Sequence, residues 1–337
     1  MKKFFALAGI SFIFLLGSCD DGNLIYKDID FNKVTAVQKC TTPGAEKIFY
    51  KLQNDEALIL VVDADNIMRD ESEDIGAAEI DGVNTTLEYR KYNAQVSGTS
   101  ICNLPPPATP SVIQNIPASP GGTVVINRNI QITNTTTQAN NAVALVYQYI
   151  FTLENINFSE GQTNIKYDRM LFGTTNYANR TLAFTFNNNN NNGLNDYNCN
   201  NALVTLSNQE ALILNLTEAD LPTQETTTDK IIELTSERFA SFRQYERGGI
   251  NVSQICNNPG NIPGSNPNNP NRLIELWLAP KGQIAISTRE TKPVDGSPSK
   301  LLHTIKLVNT TFIKASNTEK TFVKPSLDFG TYLTDKQ

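Results

Sequence analysis

The sequence predicts an all-β protein made of two tandem duplicated β-sandwich domains. Three observations carry this prediction: the patterned segments are short and strand-like, a stretch of sequence recurs 154 residues further on, and four cysteines divide evenly between the two stretches. The chain of 337 residues is also longer than one typical domain of about 100–150 residues.

Most patterned segments show the two-residue alternation or the short apolar run of a β-strand. Residues 57–62, for example, form an apolar run bounded by Asp55 and Asp63, which is typical of a buried central strand. We expect strands at 47–52, 57–62, 85–92, 123–129, 149–153 and 165–172 in the first half, and at 202–206, 211–216, 239–245, 273–278, 283–288, 301–308 and 321–323 in the second. Short strands joined by polar or Pro-rich loops fit an Ig-like and a transthyretin-like sandwich equally.

A tandem duplication is indicated by matches at a nearly constant offset. Residues 54–60 match residues 208–214 at six of seven positions, and the same offset relates residues 101–103 to residues 255–257. Further matches pair 89–92 with 242–245, 153–158 with 307–312, and 172–174 with 329–331. Because unrelated segments do not keep a common register over so much chain, we expect two copies of one unit.

The N-terminal residues have the pattern of a signal peptide. A basic start precedes an apolar run at 4–16, which is shorter than the roughly 20 residues needed to span a bilayer. The run ends in Leu16-Gly17-Ser18-Cys19, which resembles the lipobox of bacterial lipoproteins. The resemblance implies cleavage before Cys19 and lipid on its sulfur and its new amino group. The alternative is an ordinary secretory cleavage beside a structural cysteine.

The residues after the lipobox indicate where such a lipoprotein is delivered. Asp20 and Asp21 follow Cys19 directly. Acidic residues at this place resemble the surface-export signal of lipoproteins from Bacteroidota, whereas in proteobacterial lipoproteins they resemble an inner-membrane retention signal. The Asn-rich composition resembles that of Bacteroidota, so we expect a lipid anchor in the outer membrane, with the protein facing the cell exterior.

The cysteine count indicates two disulfide bonds. With Cys19 set aside for lipid, four cysteines remain in a chain expected to reach an oxidising compartment. Each copy has one early and one later cysteine, and a unit that closed its own bridge before duplication still does so afterwards. The duplication therefore predicts the bridges Cys40–Cys102 and Cys199–Cys256. Each closes a loop of about 60 residues, which contributes roughly 4 kcal/mol in the chain-entropy model.

The expected organisation has five parts. They are a signal peptide at 1–18, a lipidated tether at 19–39, a sandwich repeat at 40–187, an Asn-rich linker at 188–198 and a second repeat at 199–337. The Asn run has no apolar residue to bury, which is typical of a flexible linker. We therefore expect few contacts across it, and we expect each half to fold alone.

Charge and composition narrow the possible ligands. The net charge is −6 and basic residues do not cluster, so no nucleic-acid partner is expected. One histidine and no closely spaced cysteine pair argue against zinc. Asp63 and Asp65 are candidate Ca²⁺ ligands, but the EF-hand spacing is absent and a solvated loop is the favoured interpretation, so no metal site and no cofactor are expected.

No residue constellation indicates an enzyme. His303 lies in a strand-like segment without a recognisable nucleophile motif, and we interpret it as a histidine packed at the surface of a strand. Trp277 could anchor a ligand, but a single tryptophan in a sandwich strand is more often part of the core.

The expected function is therefore non-enzymatic. We expect a binding or scaffolding lipoprotein, held to the membrane by its lipid and accessory to an outer-membrane protein complex. One alternative is a fimbrial subunit that assembles by strand donation, because fimbrillins of Bacteroidota are similar in length, lipidation and two-sandwich architecture. The other alternative is a surface hydrolase.

Overall fold

The structure, a computed structural model, describes residues 29–45, 47–62, 76–134, 142–161, 163–186, 202–256, 273–292 and 298–336. Strands account for 61% of the chain and helices for 4%, which confirms the predicted all-β class. Residues 31–337 form one compact unit. Residues 1–30 form a separate unit, of which only Ile29 and Asp30 are described.

The described strands of the first half form two antiparallel sheets. Its elements are β1 (Gln38–Lys39), β2 (Ile48–Gln53), β3 (Glu56–Val61), β4 (Gly76–Glu79), β5 (Thr86–Tyr92), α1 (Gly98–Cys102), β6 (Val112–Pro117), β7 (Thr123–Asn134), β8 (Val143–Glu160) and β9 (Thr163–Leu182). One sheet has the order β1-β2-β3-β5-β6 and the other the order β4-β7-β8-β9. Buried aromatic rings join them, since the rings of Phe49 and Phe151 are 4.8 Å apart.

The strands of the second half belong to one sheet. Its elements are β10 (Leu203–Leu206), β11 (Glu210–Leu214), a 3-10 turn (Glu218–Asp220), β12 (Lys230–Glu233), β13 (Ala240–Tyr245), α2 (Val252–Cys256), β14 (Leu273–Thr291), β15 (Lys300–Lys314) and β16 (Thr321–Asp335). The order is β10-β11-β13-β14-β15-β16, and β12 pairs with β14 beside β13. Strand β14 pairs with β13 as β6 pairs with β5, and with β12 and β15 as β7 pairs with β4 and β8. One long strand of the second half therefore corresponds to two strands of the first half.

The two halves share their strand pairing residue by residue. Glu56 of β3 pairs with Lys91, and Glu210 of β11 pairs with Gln244, so the match of residues 89–92 with 242–245 is reproduced in the register. The pair β8–β9 has an irregularity after Phe151, and the pair β15–β16 has one at the equivalent place. The β8–β9 pair has a further irregularity after Tyr147 that β15–β16 does not have. The shared register and the one shared irregularity agree with two copies of one unit.

A backbone geometry that the two halves share explains the match of residues 153–158 with 307–312. Asn155 and Asn309 both have a left-handed backbone, with φ of 54° and 47°, which asparagine tolerates better than most residues. A glycine lies opposite each of them. A Cβ on Gly122 would lie 3.2 Å from the Asn155 carbonyl oxygen, and a Cβ on Gly282 would lie 2.9 Å from that of Asn309. Both halves therefore use a glycine to let two strands approach at this kink.

One hydrophobic core crosses from the first half into the second. The first half contributes the buried side chains Ile130, Val143, Leu145, Tyr147, Leu182 and Phe184. They pack with residues of the second half that include Leu212, Phe242, Trp277, Phe312 and Phe322. Phe184, for example, lies 4.3 Å from Phe242 and 5.5 Å from Phe312 between ring centroids.

Strand length explains why the core is shared. Strands β8 and β9 have 18 and 20 residues, whereas β2, β3 and β5 of the facing sheet have six or seven. The far ends of β8 and β9 therefore extend beyond their own half, and their apolar side chains need another surface to cover them.

The sequence predicts few contacts across the linker between the two halves. The structure differs, because residues 31–337 form one compact unit and the two halves share a core. The expected boundaries at residues 187 and 199 fall within 187–201, outside the described residues, and they stay a prediction.

Candidate functional site

The disulfide Cys40–Cys102 joins the start of the first half to the end of α1. The two Cα atoms are 5.3 Å apart, and the bridge confirms this part of the predicted cysteine pairing. It belongs to a small buried cluster with Tyr50, Tyr92 and Ile101. The bridge therefore fastens the short helix α1 onto the outer face of the first sheet.

The second bridge stays a prediction, because Cys199 lies outside the described residues. Cys256 ends α2, as Cys102 ends α1. We expect non-reducing peptide mapping of the mature protein to find Cys40 linked to Cys102 and Cys199 linked to Cys256. A peptide that links Cys40 to Cys199, or Cys102 to Cys256, would contradict the pairing within each copy.

The other sequence-predicted residues have mixed outcomes. Cys19, Asp63 and Asp65 lie outside the described residues. Within the part of the chain that the structure does describe, no group of three or more His, Cys, Asp or Glu side chains could hold a metal ion. Trp277 is fully buried, as expected of a core residue.

The surface position expected for His303 is wrong. His303 lies in β15 on the same face as Leu301 and Ile305, and it is 0% exposed. Both of its ring nitrogens are 2.8 Å from threonine hydroxyls, those of Thr288 and Thr334. Burial lowers the pKa of His303, so the ring is neutral and structural at physiological pH.

The strongest constellation of polar groups lies where the halves meet. Tyr147 and Arg180 of the first half converge on Glu275 of the second, together with Trp277 and Lys314. We call these five residues the junction cluster. Glu275 is 0% exposed, and the side chains of Lys314 and Arg180 are 9% and 13% exposed. Such burial is rare for charged groups unless they are paired.

Glu275 is the centre of the junction cluster. Its Oε2 accepts hydrogen bonds from Lys314 Nζ at 2.8 Å and from Trp277 Nε1 at 3.1 Å. Its Oε1 accepts from Arg180 Nη1 at 2.7 Å and from the Tyr147 hydroxyl. Four donors on two oxygens satisfy the carboxylate almost completely, which is what a buried charge needs.

The electrostatics of the cluster agree with this geometry. Burial alone would raise the pKa of Glu275, but the adjacent Lys314 and Arg180 charges and the hydrogen bonds hold it below its ordinary value. Burial and the Glu275 charge raise the pKa of Tyr147, so its hydroxyl stays protonated and donates. Lys314 Nζ also lies 5.3 Å from the centre of the Trp277 ring, a favourable cation–π contact.

A second set of contacts fixes the same interface. The carboxylate of Glu210, in β11, accepts the backbone N–H groups of Ala183 and Phe184 at 2.7 and 2.9 Å. Lys324 Nζ lies 4.3 Å from the centre of the Phe184 ring. Burial lowers the pKa of Lys324 to about 8, although the Glu210 charge opposes the shift. The segment that leaves β9 is therefore tied by its backbone to the second half.

The equivalent positions of the first half lack this ionic arrangement. Gln114 pairs with Lys91 as Glu275 pairs with Gln244, so Gln114 is the counterpart of Glu275. Gln114 Nε2 donates to Glu160 at 2.5 and 2.6 Å, and this contact is exposed. The buried charges therefore occur where another part of the chain covers them, which assigns the cluster to joining the halves.

Sequence reasoning did not identify the junction cluster. A signal was present, because Leu273, Glu275 and Trp277 alternate and so place Glu275 on the apolar face of β14. The partners of Glu275 lie 128, 95 and 39 residues away in the sequence, and only the fold brings them together.

The junction cluster has the chemistry of a structural contact between the two halves. The Glu275 carboxylate is saturated with donors and buried, so it has no free acceptor site to offer a substrate.

Comparison with protein-family models, curated protein sequences and solved structures gave no match. Among the residues that the structure describes, neither short helix has the length and apolar character of a membrane span.

Proposed function

We propose that this protein is a surface-facing outer-membrane lipoprotein with a non-enzymatic binding or scaffolding role, accessory to an outer-membrane protein complex. Cys19 carries its lipid, and the mature part consists of two duplicated β-sandwich units of Ig-like or transthyretin-like type. The shared strand pairing and the matching kinks at Asn155 and Asn309 support the duplication.

One observation carries the binding role: a rigid body presents apolar side chains at a strand edge. Leu104, Val112 and Ile113 are 61%, 45% and 59% exposed, and the last two begin the edge strand β6. The counterpart of Val112 in the second half, Leu273, is 3% exposed. Large apolar side chains that are exposed on a folded surface beside an edge strand are candidates for contact with a partner protein.

The junction cluster supports a scaffold rather than two loosely tethered domains. A shared core and buried ion pairs hold the two units in one fixed arrangement, so the contacts that each presents keep a constant spacing. Binding surfaces on a rigid frame lose less conformational entropy when a partner binds.

Photo-crosslinking in intact cells tests the binding role. A photoreactive residue in place of Ile113 is expected to crosslink to one outer-membrane protein. The same residue in place of Val83, which is 80% exposed in the loop between β4 and β5, is expected not to crosslink. Equal labelling from both positions would contradict a binding site at β6. A regular ladder of self-crosslinked products would instead support the fimbrial alternative.

Replacement of the lipobox cysteine tests the anchor. We expect Cys19→Ala to move the protein from the membrane fraction into the soluble or unprocessed fraction, because acyl chains supply about 0.8 kcal/mol per buried CH₂ and no other anchor is expected. Cys40→Ala serves as the control and should leave the protein in the membrane fraction. Full membrane retention of Cys19→Ala in cells that lack the crosslinked partner would contradict lipid anchoring.

A further inference from the structure

The chain that precedes β1 is built into the first half. The Thr174 backbone N–H donates to the Thr35 carbonyl oxygen at 3.4 Å, and the Val37 N–H donates to the Thr174 carbonyl oxygen at 3.1 Å. A Cβ on Gly173 would lie only 2.5 Å from the Thr35 oxygen, so a glycine is needed for this close approach. The segment before β1 is therefore fixed along β9.

Phe31 marks the place where this segment enters the first half. It is 1% exposed, and its ring lies 6.5 Å from the ring of Tyr89. Tyr89 pairs with Ile116 of β6, two residues from Gln114, whose side chain contacts Glu160 at the end of β8. We call this end of the first half, formed by Glu160 and the start of β6, the hairpin end.

Followed toward the N-terminus, the segment runs to the hairpin end. Thr174, which binds Val37, pairs with Ile150 of β8. Ile150 is ten residues before Glu160, so this contact lies roughly 30 Å from the hairpin end. From Val37 to Phe31 the chain covers most of that distance. The residues that precede Phe31 therefore start from the hairpin end.

The second half lies toward the opposite end of β8. Tyr147 of the junction cluster is thirteen residues before Glu160, a separation of roughly 40 Å. The strand β15 reaches the cluster with Lys314, and Lys300 at its other end is roughly 45 Å away. Beyond Tyr147, β8 continues into the core that it shares with β15, so both strands lead away from the hairpin end.

Cys19 cannot lie near the far end of the second half. It is twelve residues before Phe31, and an extended chain of this length spans at most about 43 Å. The distance from Phe31 to Lys300, past the junction cluster, is roughly twice as long. An anchor at Cys19 is therefore confined to the side of the first half.

The second half provides an independent comparison. Phe242 is the counterpart of Tyr89, and Phe184 lies against Phe242, at 4.3 Å between ring centroids, as Phe31 lies against Tyr89. The chain that contains Phe184 arrives from the first half, which covers this end of the second half. Each unit thus receives the preceding part of the chain at the same end, and for the first half that part leads to Cys19.

We propose that the hairpin end of the first half faces the lipid surface and that the second half points away from it. This orientation rests on the proposed lipidation of Cys19. Val112 and Ile113 lie at the hairpin end, directly before Gln114, and both are exposed. The partner that binds β6 is therefore expected at the bilayer surface, as an integral outer-membrane protein is.

Energy transfer from the protein to a bilayer tests the orientation. The purified mature chain is coupled through Cys19 to a maleimide lipid in phosphatidylcholine vesicles that contain acceptor lipids, and mass spectrometry checks that each chain has one lipid. A clickable residue holds the donor dye in place of Lys166, which is exposed near the start of β9, or of Asp335, which pairs with Lys300 and whose side chain is 89% exposed. We expect position 335 to lie farther from the bilayer than position 166 by at least about 40 Å, the approximate length of β15.

Chemical coupling separates this test from the test of natural lipidation. The vesicles impose the anchor and report the orientation alone, whereas fractionation of cells with Cys19→Ala reports whether the cell attaches a lipid. A control chain with Cys19→Ser and Asp335→Cys is coupled at the far end of the second half and should move position 166 away from the bilayer by a similar distance. Equal distances for positions 166 and 335 in the chain coupled at Cys19, a shorter distance for position 335, or an unchanged position 166 in the control would overturn the proposal.

Discussion

Replacing Glu275 by glutamine is expected to lower the free energy of unfolding by about 3–5 kcal/mol, the usual cost of leaving a buried charge unpaired. The substitution keeps the size of the side chain but removes the negative charge that Lys314 and Arg180 contact at 2.8 and 2.7 Å. Both cations are largely buried, so water cannot replace the lost partner. Equilibrium denaturant unfolding of the purified mature protein measures the difference.

Two control variants make this result specific. Glu237→Gln removes an exposed glutamate and should change stability by less than about 0.5 kcal/mol. The triple variant Arg180→Met, Glu275→Met and Lys314→Met removes every charge of the cluster and should recover much of the loss, because apolar replacement of a buried ionic group is often neutral. If Glu275→Gln costs no more than Glu237→Gln, the cluster does not hold the halves together.

Acid provides a further check with a defined sign. The neighbouring cations hold the folded-state pKa of Glu275 below its ordinary value, so its stabilisation is complete above the unfolded-state pKa of about 4.3. The stabilisation is lost as the pH falls through the folded-state pKa. The difference between the native protein and Glu275→Gln should therefore be constant above about pH 5 and should shrink in more acidic solution. A difference that grows toward low pH would contradict the pairing.

Separating the halves is expected to unfold the second one. A fragment of residues 188–337 keeps both Cys199 and Cys256 but lacks the six first-half side chains in the shared core, from Ile130 to Phe184. Six buried apolar side chains at roughly 1.5–3 kcal/mol each contribute on the order of 10 kcal/mol. This is comparable to the whole stability of about 5–15 kcal/mol that most domains have. We expect the fragment to unfold without a cooperative transition and to bind an apolar dye such as ANS.

A nicked chain is the matched control for the fragment. A protease site placed within residues 187–201 allows cleavage after folding, and the two halves should then stay associated and unfold in one transition. Adding the first half to the second-half fragment should restore cooperative unfolding. If the nicked halves separate in dilute solution and each unfolds cooperatively, the independent folding expected from the sequence is correct and the shared core is dispensable.

Much of the fold could be predicted because it follows from local patterning. Alternation places β8 and β14 as strands, since a period of two places every second side chain on the buried face. The offset between residues 54–60 and 208–214 predicts that two segments share one pairing, and the register of Glu56 and Glu210 agrees with it. The bridge Cys40–Cys102 follows from the same reasoning, and the structure contains it.

His303 shows the limit of local patterning. Leu301, Leu302 and Ile305 are all apolar, so the alternation does not reveal which face of β15 is buried. From the sequence we expect His303 to pack at the surface of its strand. In the structure it lies on the core face and is accommodated because the Thr288 and Thr334 hydroxyls satisfy both ring nitrogens.

The sequence by itself determined the strand class, the register that residues 54–60 and 208–214 share, and the cysteine pair of the first half, because each of these is encoded by neighbouring residues or by a repeat within the chain. Only the tertiary structure decided that the units share a core and that Tyr147, Arg180 and Lys314 converge on Glu275. Such contacts join residues far apart in the chain. Their formation depends on where the long ends of β8 and β9 find an apolar surface to cover them, and alternation along a single strand carries no information about that surface.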